Sequence, residues 1–308
     1  MDVAAVVVNP GRVHGLHRLR EHAERAARQH GWAPPLYLRT TAADPGTGAA
    51  RNALAAGATL VVAVGGDGTV HACVQALAGS GVPLAIVPVG TANLTARALR
   101  LPGGLDAALA VAFGGSDATI DLGRADDGTY FTAMAGLGLD AAVVAGTPAL
   151  VRRVAGWPAY AAGAIGHLMR SPVAFTITLD DREPLERLAR SVTVGNSGSL
   201  PGGFPILPDA RPDDGVLDVV VLAPADLLGW LQIGLRVAAR SDRNDLQLER
   251  FQARRVEIRA PADLPRQIDG EIIASGRSLS VAVCPGALRV RVPRGVLPGG
   301  AKHAPRAD

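Results

Sequence analysis

The run Leu60-Val61-Val62-Ala63-Val64, followed at once by Gly65-Gly66-Asp67-Gly68-Thr69, constrains this chain more than any other segment. An uninterrupted apolar run rich in β-branched side chains suits a strand buried on both faces, as in a parallel sheet. The glycines that end it predict a tight turn, and Val70 to Leu77 reads as the helix leaving that turn. The same rhythm surrounds this unit. Val3 to Val8 is a strand stopped by Asn9-Pro10-Gly11, and Leu16 to His30 is a helix with one apolar face. Leu36-Tyr37-Leu38 and Leu84 to Pro88 are further strands, and Ala49 to Ala56 a further helix. This alternation predicts a parallel sheet covered by helices on both faces.

From Phe131 onward the rhythm changes. Phe175–Leu179, Ser191–Val194, Leu217–Val221, Val256–Ile258, Leu279–Val283 and Leu288–Val292 read as strands. Several alternate with period two, as half-buried antiparallel strands do. Helical stretches around 148–170 and 225–240 interrupt them. A chain of 308 residues that is 48% hydrophobic can build two such cores. The boundary is expected near Asp121-Leu122-Gly123.

Other features narrow the setting. Cys73 and Cys284 are the only cysteines, so neither a disulfide framework nor a zinc spacing exists. The N-terminus enters an apolar run with no basic region before it, and a reducing cytoplasm is the expected compartment. Residues 154–169 are too few to span a bilayer, and residues 132–151 contain Asp140 and Pro148. With 4% aromatics and no interleaving of aromatic and basic residues, no nucleic-acid partner is expected.

The chemistry is expected in the strand-to-helix turns. Ligands of open α/β sheets sit at the carboxyl ends of the strands. There Gly65, Gly66 and Gly68 let main-chain N–H groups approach phosphate oxygens, and the start of the next helix adds a favourable dipole. Asp67 is read as a loop carboxylate with little core packing, suited to a Mg2+ or water shell, and Thr69 as a phosphate donor. Gly90-Thr91-Ala92-Asn93 and Asn9-Pro10-Gly11 are two more loops at the same edge. Three loops at one sheet edge point to a nucleotide site more strongly than any one of them does.

These motifs resemble the diacylglycerol kinase catalytic-domain family of soluble bacterial lipid kinases, related to sphingosine and ceramide kinases. Gly65–Thr69 is shared with NAD kinases and related to phosphofructokinases, so later segments carry the distinction. Phe131 to Ala141 resembles the opening of the family's second domain. Pro201 to Ala210, then Asp213-Asp214-Gly215-Val216-Leu217-Asp218, resembles its β-domain hallmark, and Asp269-Gly270-Glu271 its late catalytic tripeptide. The resemblance implies an α/β N-terminal nucleotide-binding domain (NAD kinase/diacylglycerol kinase-like) over residues 1–122. A mainly antiparallel β-sandwich domain for the lipid substrate follows over 123–293, with a tail at 294–308.

It further implies ATP and Mg2+ as cofactors. Asn9, Pro10, Thr40, Gly65 to Thr69, Thr91 and Asn93 line the nucleotide site. Asp214, with the main-chain carbonyls of Arg211 and Val216, matches a structural Mg2+ site. Glu271 matches the proton acceptor, with Asp269 beside it, and Asp67 and Asp269 help to organise Mg2+ and its waters. The implied partner is a lipid at a membrane surface, met transiently from the cytoplasm, and a homodimer is compatible with the chain. Residues 151–170, with Trp157 and Tyr160 between Arg152-Arg153 and Arg170, are the candidate docking stretch. Two departures stand out. His71-Ala72 replaces the usual Asn-Glu after the glycine loop, and Leu94 replaces an Asp. Two alternatives remain beside the kinase reading: an NAD kinase, and a lipid- or nucleotide-binding relative that has lost catalysis.

Overall fold

The computed structural model describes residues 2–13, 15–138, 171–197, 207, 210–226, 229, 230, 232, 233, 235 and 247–295. Strand β1 (Ala4–Val8) and strand β3 (Leu60–Gly65) are buried along their whole length. They lie in a parallel array ordered β2 (Leu36–Arg39), β1, β3, β4 (Leu84–Pro88). Period two divides their side chains between two cores. Ala5, Val7, Val61 and Ala63 meet Ala50 and Ala53 of helix α2 (Thr47–Ala55) and Cys73, Val74 and Leu77 of α3 (Asp67–Leu77). Ala4, Val6, Val62 and Val64 face the other way, onto Leu19, Ala23 and Ala27 of α1 (Leu16–Gln29) and Leu109 and Phe113 of α5 (Leu105–Gly114). The buried residues of α1 recur every four positions, so one stripe carries its packing.

The second half is antiparallel. Strands β7 (Met134–Gly138), β10 (Ser191–Gly195), β11 (Leu217–Leu222) and β12 (Leu248–Ala253) pair in the order β12-β11-β10-β7, and β7 then pairs with β13 (Arg255–Ile268). β13 turns back into β14 (Glu271–Val292), and β8 (Val173–Leu179) with β9 (Leu185–Ala189) flanks β13. The far end of β14 lies parallel to β4, with Val290 opposite Leu84. One hydrogen-bonded sheet therefore joins both halves. Phe131, Leu137, Phe175, Ile177, Val192, Val219 and Ile258 form the core of the second half.

The structure differs from the sequence reading in informative places. Helix α3 begins at Asp67, not Val70, so Asp67, Gly68 and Thr69 are its first turn. The segments expected as separate strands at 279–283 and 288–292 are parts of one 22-residue strand, β14. Pro285 and Gly286 look like a break but fall where the register of β14 against the strand Ser116–Ala125 shifts between Cys284 and Leu288, a bulge that absorbs the missing donor. Strand β5 (Ser116–Ala125) was not anticipated and runs without interruption through Asp121-Leu122-Gly123. The helix expected at 148–170, with the docking stretch 151–170, lies outside the described residues, as do residues 139–141, 201–206, 208 and 209 of the quoted motifs and most of the 294–308 tail. Among the described residues no helix is long and apolar enough to cross a membrane.

Strand β6 (Tyr130–Phe131) pairs with β5 so that Phe131 stands opposite Gly123. A Cβ on Gly123 would lie 2.0 Å from the fully buried Phe131 ring, so the glycine is the seat of that ring. Gly123→Ala is expected to destabilise the protein by about 1–3 kcal/mol through overpacking, and Phe131→Ala by about 3–5 kcal/mol. In the double variant the added methyl enters the vacated space. Urea unfolding should give a smaller loss than the two single losses combined, and strict additivity would contradict the packing described.

Candidate active site

The glycine loop and the second loop touch. A Cβ on Gly90 would lie 2.6 Å from the Gly66 Cα, so two main chains meet where Gly90 cannot carry a side chain without a shift. Gly65 has the same constraint for another reason, because a Cβ there would stand 2.4 Å from the Thr69 Cβ. Thr69, expected to donate to a phosphate, is in fact buried and packed under Gly65, where it supports the loop. Helix α3 starts at this contact with no side-chain cap on its first N–H groups, and that end carries the positive pole of the helix.

Asp67 is not a free loop carboxylate. Its Oδ2 accepts the Asn93 N–H at 2.8 Å and its Oδ1 the Leu94 N–H at 2.6 Å, so it caps the short helix α4 (Leu94–Ala98) and latches the second loop to the first. Burial raises its pKa above the ordinary carboxylate value and Asp269 adds to this, while the two N–H bonds oppose both. Asn93 completes the latch. It sits in the left-handed region at φ 49°, its Oδ1 accepts the Gly90 N–H at 3.0 Å, and its Nδ2 donates to the Gly90 carbonyl at 2.8 Å. Thr91 lies exposed between them. Asn9 extends the same edge, its N–H bonded to the Val64 carbonyl and its Oδ1 accepting the Gly11 N–H, while Pro10 is exposed. Thr40 is buried, with its N–H on the Val8 carbonyl.

The late tripeptide arrives here through the β13–β14 hairpin. Ile268 pairs with Glu271, and the two residues between them, Asp269 at φ 49° and Gly270 at φ 80°, make the tight turn that Asp-Gly favours. The turn is not on the surface. Asp269 Oδ1 accepts the N–H groups of Ala133 at 2.8 Å and Met134 at 3.0 Å, and Oδ2 accepts the Thr132 N–H at 3.0 Å and the Thr132 hydroxyl at 3.2 Å. His71 Nδ1 lies 3.4 Å from Oδ2. Burial alone would raise this carboxyl, but the His71 hydrogen bond and the main-chain N–H groups outweigh it and hold the pKa below its ordinary value. With their oxygens bound in this way, Asp67 and Asp269 position the loops, a structural role that the expectation of Mg2+ organisers did not include. Glu271 is exposed, and a Cβ on Gly68 would stand 3.0 Å from its Oε1. The expected proton acceptor thus lies against the first turn of α3.

Arg211, Asp214 and Val216 form a turn beside this region. Asp214 Oδ1 accepts the Val216 N–H at 3.2 Å, and Arg211 Nε donates to Asp213 at 3.2 Å. Sequence reasoning missed the residue that fixes this turn. Asp121, buried in β5, accepts the Gly215 N–H at 2.7 Å and the Gly286 N–H at 2.8 Å. The signal was present, since an acid between Ile120 and Leu122 in an apolar strand needs a partner. Burial and then the charges of Asp121 and Asp213 raise the Asp214 pKa, against its hydrogen bond to Val216. The Asp214 carboxylate and the main-chain carbonyls of this turn are the oxygen donors that a hard cation prefers, with the Arg211 guanidinium drawn off to Asp213. Among the described residues no cluster of three or more His, Cys, Asp or Glu could hold a metal ion.

Residues 3–125 match the family model of the diacylglycerol kinase catalytic domain, and residues 133–292 match that of the YegS C-terminal NAD kinase beta sandwich-like domain. An α/β domain followed by a β-sandwich domain is therefore present, as expected. A protein of Pseudomonas aeruginosa strain UCBPP-PA14 named "Probable lipid kinase YegS-like" is 37% identical over 79% of this chain and 80% of its own length. A protein of the same name from Pseudomonas fluorescens is 34% identical over 94% of this chain and 97% of its own. The fold is similar to that of a diacylglycerol kinase from Bacillus anthracis, with a TM-score of 0.75 at 22% identity, covering 96% of this chain and 98% of that one. An NAD kinase from Archaeoglobus fulgidus in complex with ATP is more distant, with a TM-score of 0.54 at 12% identity over 94% of this chain and 93% of that one.

Two outcomes follow from the carboxylate contacts. Asp269→Asn turns an NH2 group toward main-chain N–H donors and is expected to cost about 3–5 kcal/mol at pH 7. A group with a depressed native pKa stabilises above its unfolded pKa and loses that contribution as pH falls through the native one. In urea titrations the gap between parent and variant should therefore narrow below about pH 4, and a gap independent of pH would contradict the assignment. Asp67→Ala should speed amide exchange at Asn93 and Leu94 selectively, because it removes their acceptor. Unchanged exchange there would show that the loops hold without the latch.

Proposed function

For a chain that belongs to the diacylglycerol kinase catalytic-domain family and is a lipid kinase, we propose transfer of the γ-phosphoryl group of ATP to a lipid hydroxyl, with Glu271 as the proton acceptor. The observation that carries this reading is the approach of Glu271 Oε1 to Gly68, which sets a free carboxylate against the loop suited to phosphate.

The chain's own groups divide the work. The start of α3, from Gly66 to Gly68, offers main-chain N–H groups and a helix pole to the phosphates, with Thr40, Thr91, Asn9 and Pro10 at the edge of the same site. Glu271 accepts the proton of the lipid alcohol as the oxygen attacks the γ-phosphorus. The bond from that phosphorus to the β,γ-bridging oxygen breaks, and ADP leaves with the electron pair. Asp214 with the carbonyls of Arg211 and Val216 would hold Mg2+, which supplies positive charge to that acidic turn. Asp67 and Asp269 fix the two loops and the hairpin from which these groups act.

The acceptor is read as an amphiphilic alcohol, diacylglycerol or a related lipid, met at a membrane surface. Ile272, next to Glu271, is 44% exposed, an apolar residue where an acyl chain would pass. Labelled ATP offered to a total lipid extract, with NAD in a parallel reaction, is expected to label a lipid and not NAD. Label in NAD alone would replace the lipid with the dinucleotide. Glu271→Gln keeps the shape but not the basicity. Lipid phosphorylation should fall by about 10²–10⁴-fold with ATP affinity unchanged, whereas a loss below that range would move the proton to solvent.

A further inference from the structure

His71 stands where the family's relatives were expected to have Asn, and it occupies a specific place. It projects from α3 toward Asp269 and is largely buried, with 17% of its side chain exposed. Its Nδ1 faces Asp269 Oδ2 at 3.4 Å, and its Nε2 faces Gln75 Nε2 at 3.3 Å. A ring nitrogen can donate or accept, so the partner on each side decides the tautomer.

Gln75 answers that question through a third residue. The Tyr130 N–H reaches Gln75 Oε1 at 2.9 Å, and Gln75 Nε2 donates to the Tyr130 carbonyl at 2.8 Å. The main chain of Tyr130 needs an acceptor at one atom and a donor at the other, so the amide has one orientation. The NH2 group is then the part of Gln75 that meets His71, its second hydrogen lying between the imidazole Nε2 at 3.3 Å and the His71 carbonyl at 3.5 Å, so Nε2 faces a donor and is read as the acceptor. The remaining proton of a neutral ring lies on Nδ1, the nitrogen aimed at Asp269. Protonating Nε2 would set one N–H against another.

We propose that His71 is a positioning residue for phosphoryl transfer, held by Gln75 as the neutral Nδ1–H tautomer and tying helix α3 to the Asp269–Glu271 turn. The glycine loop begins this helix and the proton acceptor follows this turn, so the contact sets the distance between phosphate donor and base. The charged groups around the ring are few. Asp269 faces it from the hairpin turn and Glu271 from the start of β14. Asp67 lies beyond Asp269 on the first turn of α3, and the Arg124 guanidinium stacks 5.6 Å from the Tyr130 ring centre. Burial disfavours the imidazolium, while Asp269 and Glu271 favour it, with a net upward pull. Gln75 acts against that pull by geometry. The assignment rests on the proposed role of Glu271 only for its catalytic consequence, because the tautomer follows from hydrogen bonds alone.

The test joins a spectroscopic and a kinetic readout on the full chain. In histidine-labelled protein, with the His71 signal identified by its loss in His71→Asn, the 15N shifts at neutral pH should show Nε2 unprotonated and Nδ1 protonated. Gln75→Leu should move the ring toward the charged form at the same pH. Protonated Nε2 in the parent, or a ring unaffected by Gln75→Leu, overturns the proposal. In lipid phosphorylation, His71→Leu should lower kcat by about 10–100-fold with KM for ATP unchanged. His71→Asn, which restores a donor to Asp269, should recover most of that loss. Unchanged kcat in His71→Leu, or no recovery with Asn, also overturns it. If His71→Leu does not fold, the spectra of parent and Gln75→Leu decide alone. Full activity in Glu271→Gln would remove the base from its role while leaving the tautomer to stand or fall on its own spectra.

Discussion

The carboxylate of Asp269 is the constraint on which this site depends. Its oxygens gather the N–H groups of Thr132, Ala133 and Met134 from the start of the second half, and they reach His71 in the first. The Thr132 hydroxyl also meets Thr95 of α4 at 2.6 Å. Because Asp67 on α3 caps α4, a closed circuit runs from α3 through α4, Thr132 and Asp269 back to α3. Each member has its position fixed from two sides. In a buried network that closes in this way, losing one partner strands the others, so the cost of disruption exceeds that of a single bond.

The same circuit bears on how acidic residues can stand next to the proposed phosphate site. A bare carboxylate at the start of α3 would compete with an anion for the helix pole. Asp67 instead spends both oxygens on a neighbouring helix, and Asp269 is turned toward main-chain donors. Glu271, with its Oε1 beside Gly68, is the carboxylate of the three left on the open side. The carboxylates thus divide into two that build the site and one that stays exposed at its edge, the one proposed as the proton acceptor.

Much of the fold was legible because its signals are local. The runs Ala4–Val8 and Leu60–Val64 could only be buried strands, and the glycines after them could only be turns. The family model over residues 133–292 agrees with the later motifs that resembled this family. What escaped was set by distant partners. Strand β5 carries Asp117 and Asp121, which look like loop residues until Arg289, Gly215 and Gly286 are seen to pair with them. The length of β14 was hidden by Pro285 and Gly286, whose bulge is defined only by the strand opposite. Likewise, the contact that makes Asp67 a helix cap lies 26 residues away.

The turn at Asp269-Gly270 has a consequence for the chemical ageing of the chain. In an exposed loop, an Asp-Gly pair is prone to cyclise, as the glycine nitrogen attacks the aspartate Cγ and opens a route to isoaspartate. Here the Gly270 N–H is bound to Gln267 Oε1 at 2.8 Å, and the carboxylate is clasped by N–H groups from a different strand. Nucleophile and electrophile are each held by another partner, and Asp269 is shielded from the water that would complete the reaction. The contacts that aim the hairpin at the site also preserve its covalent backbone over time.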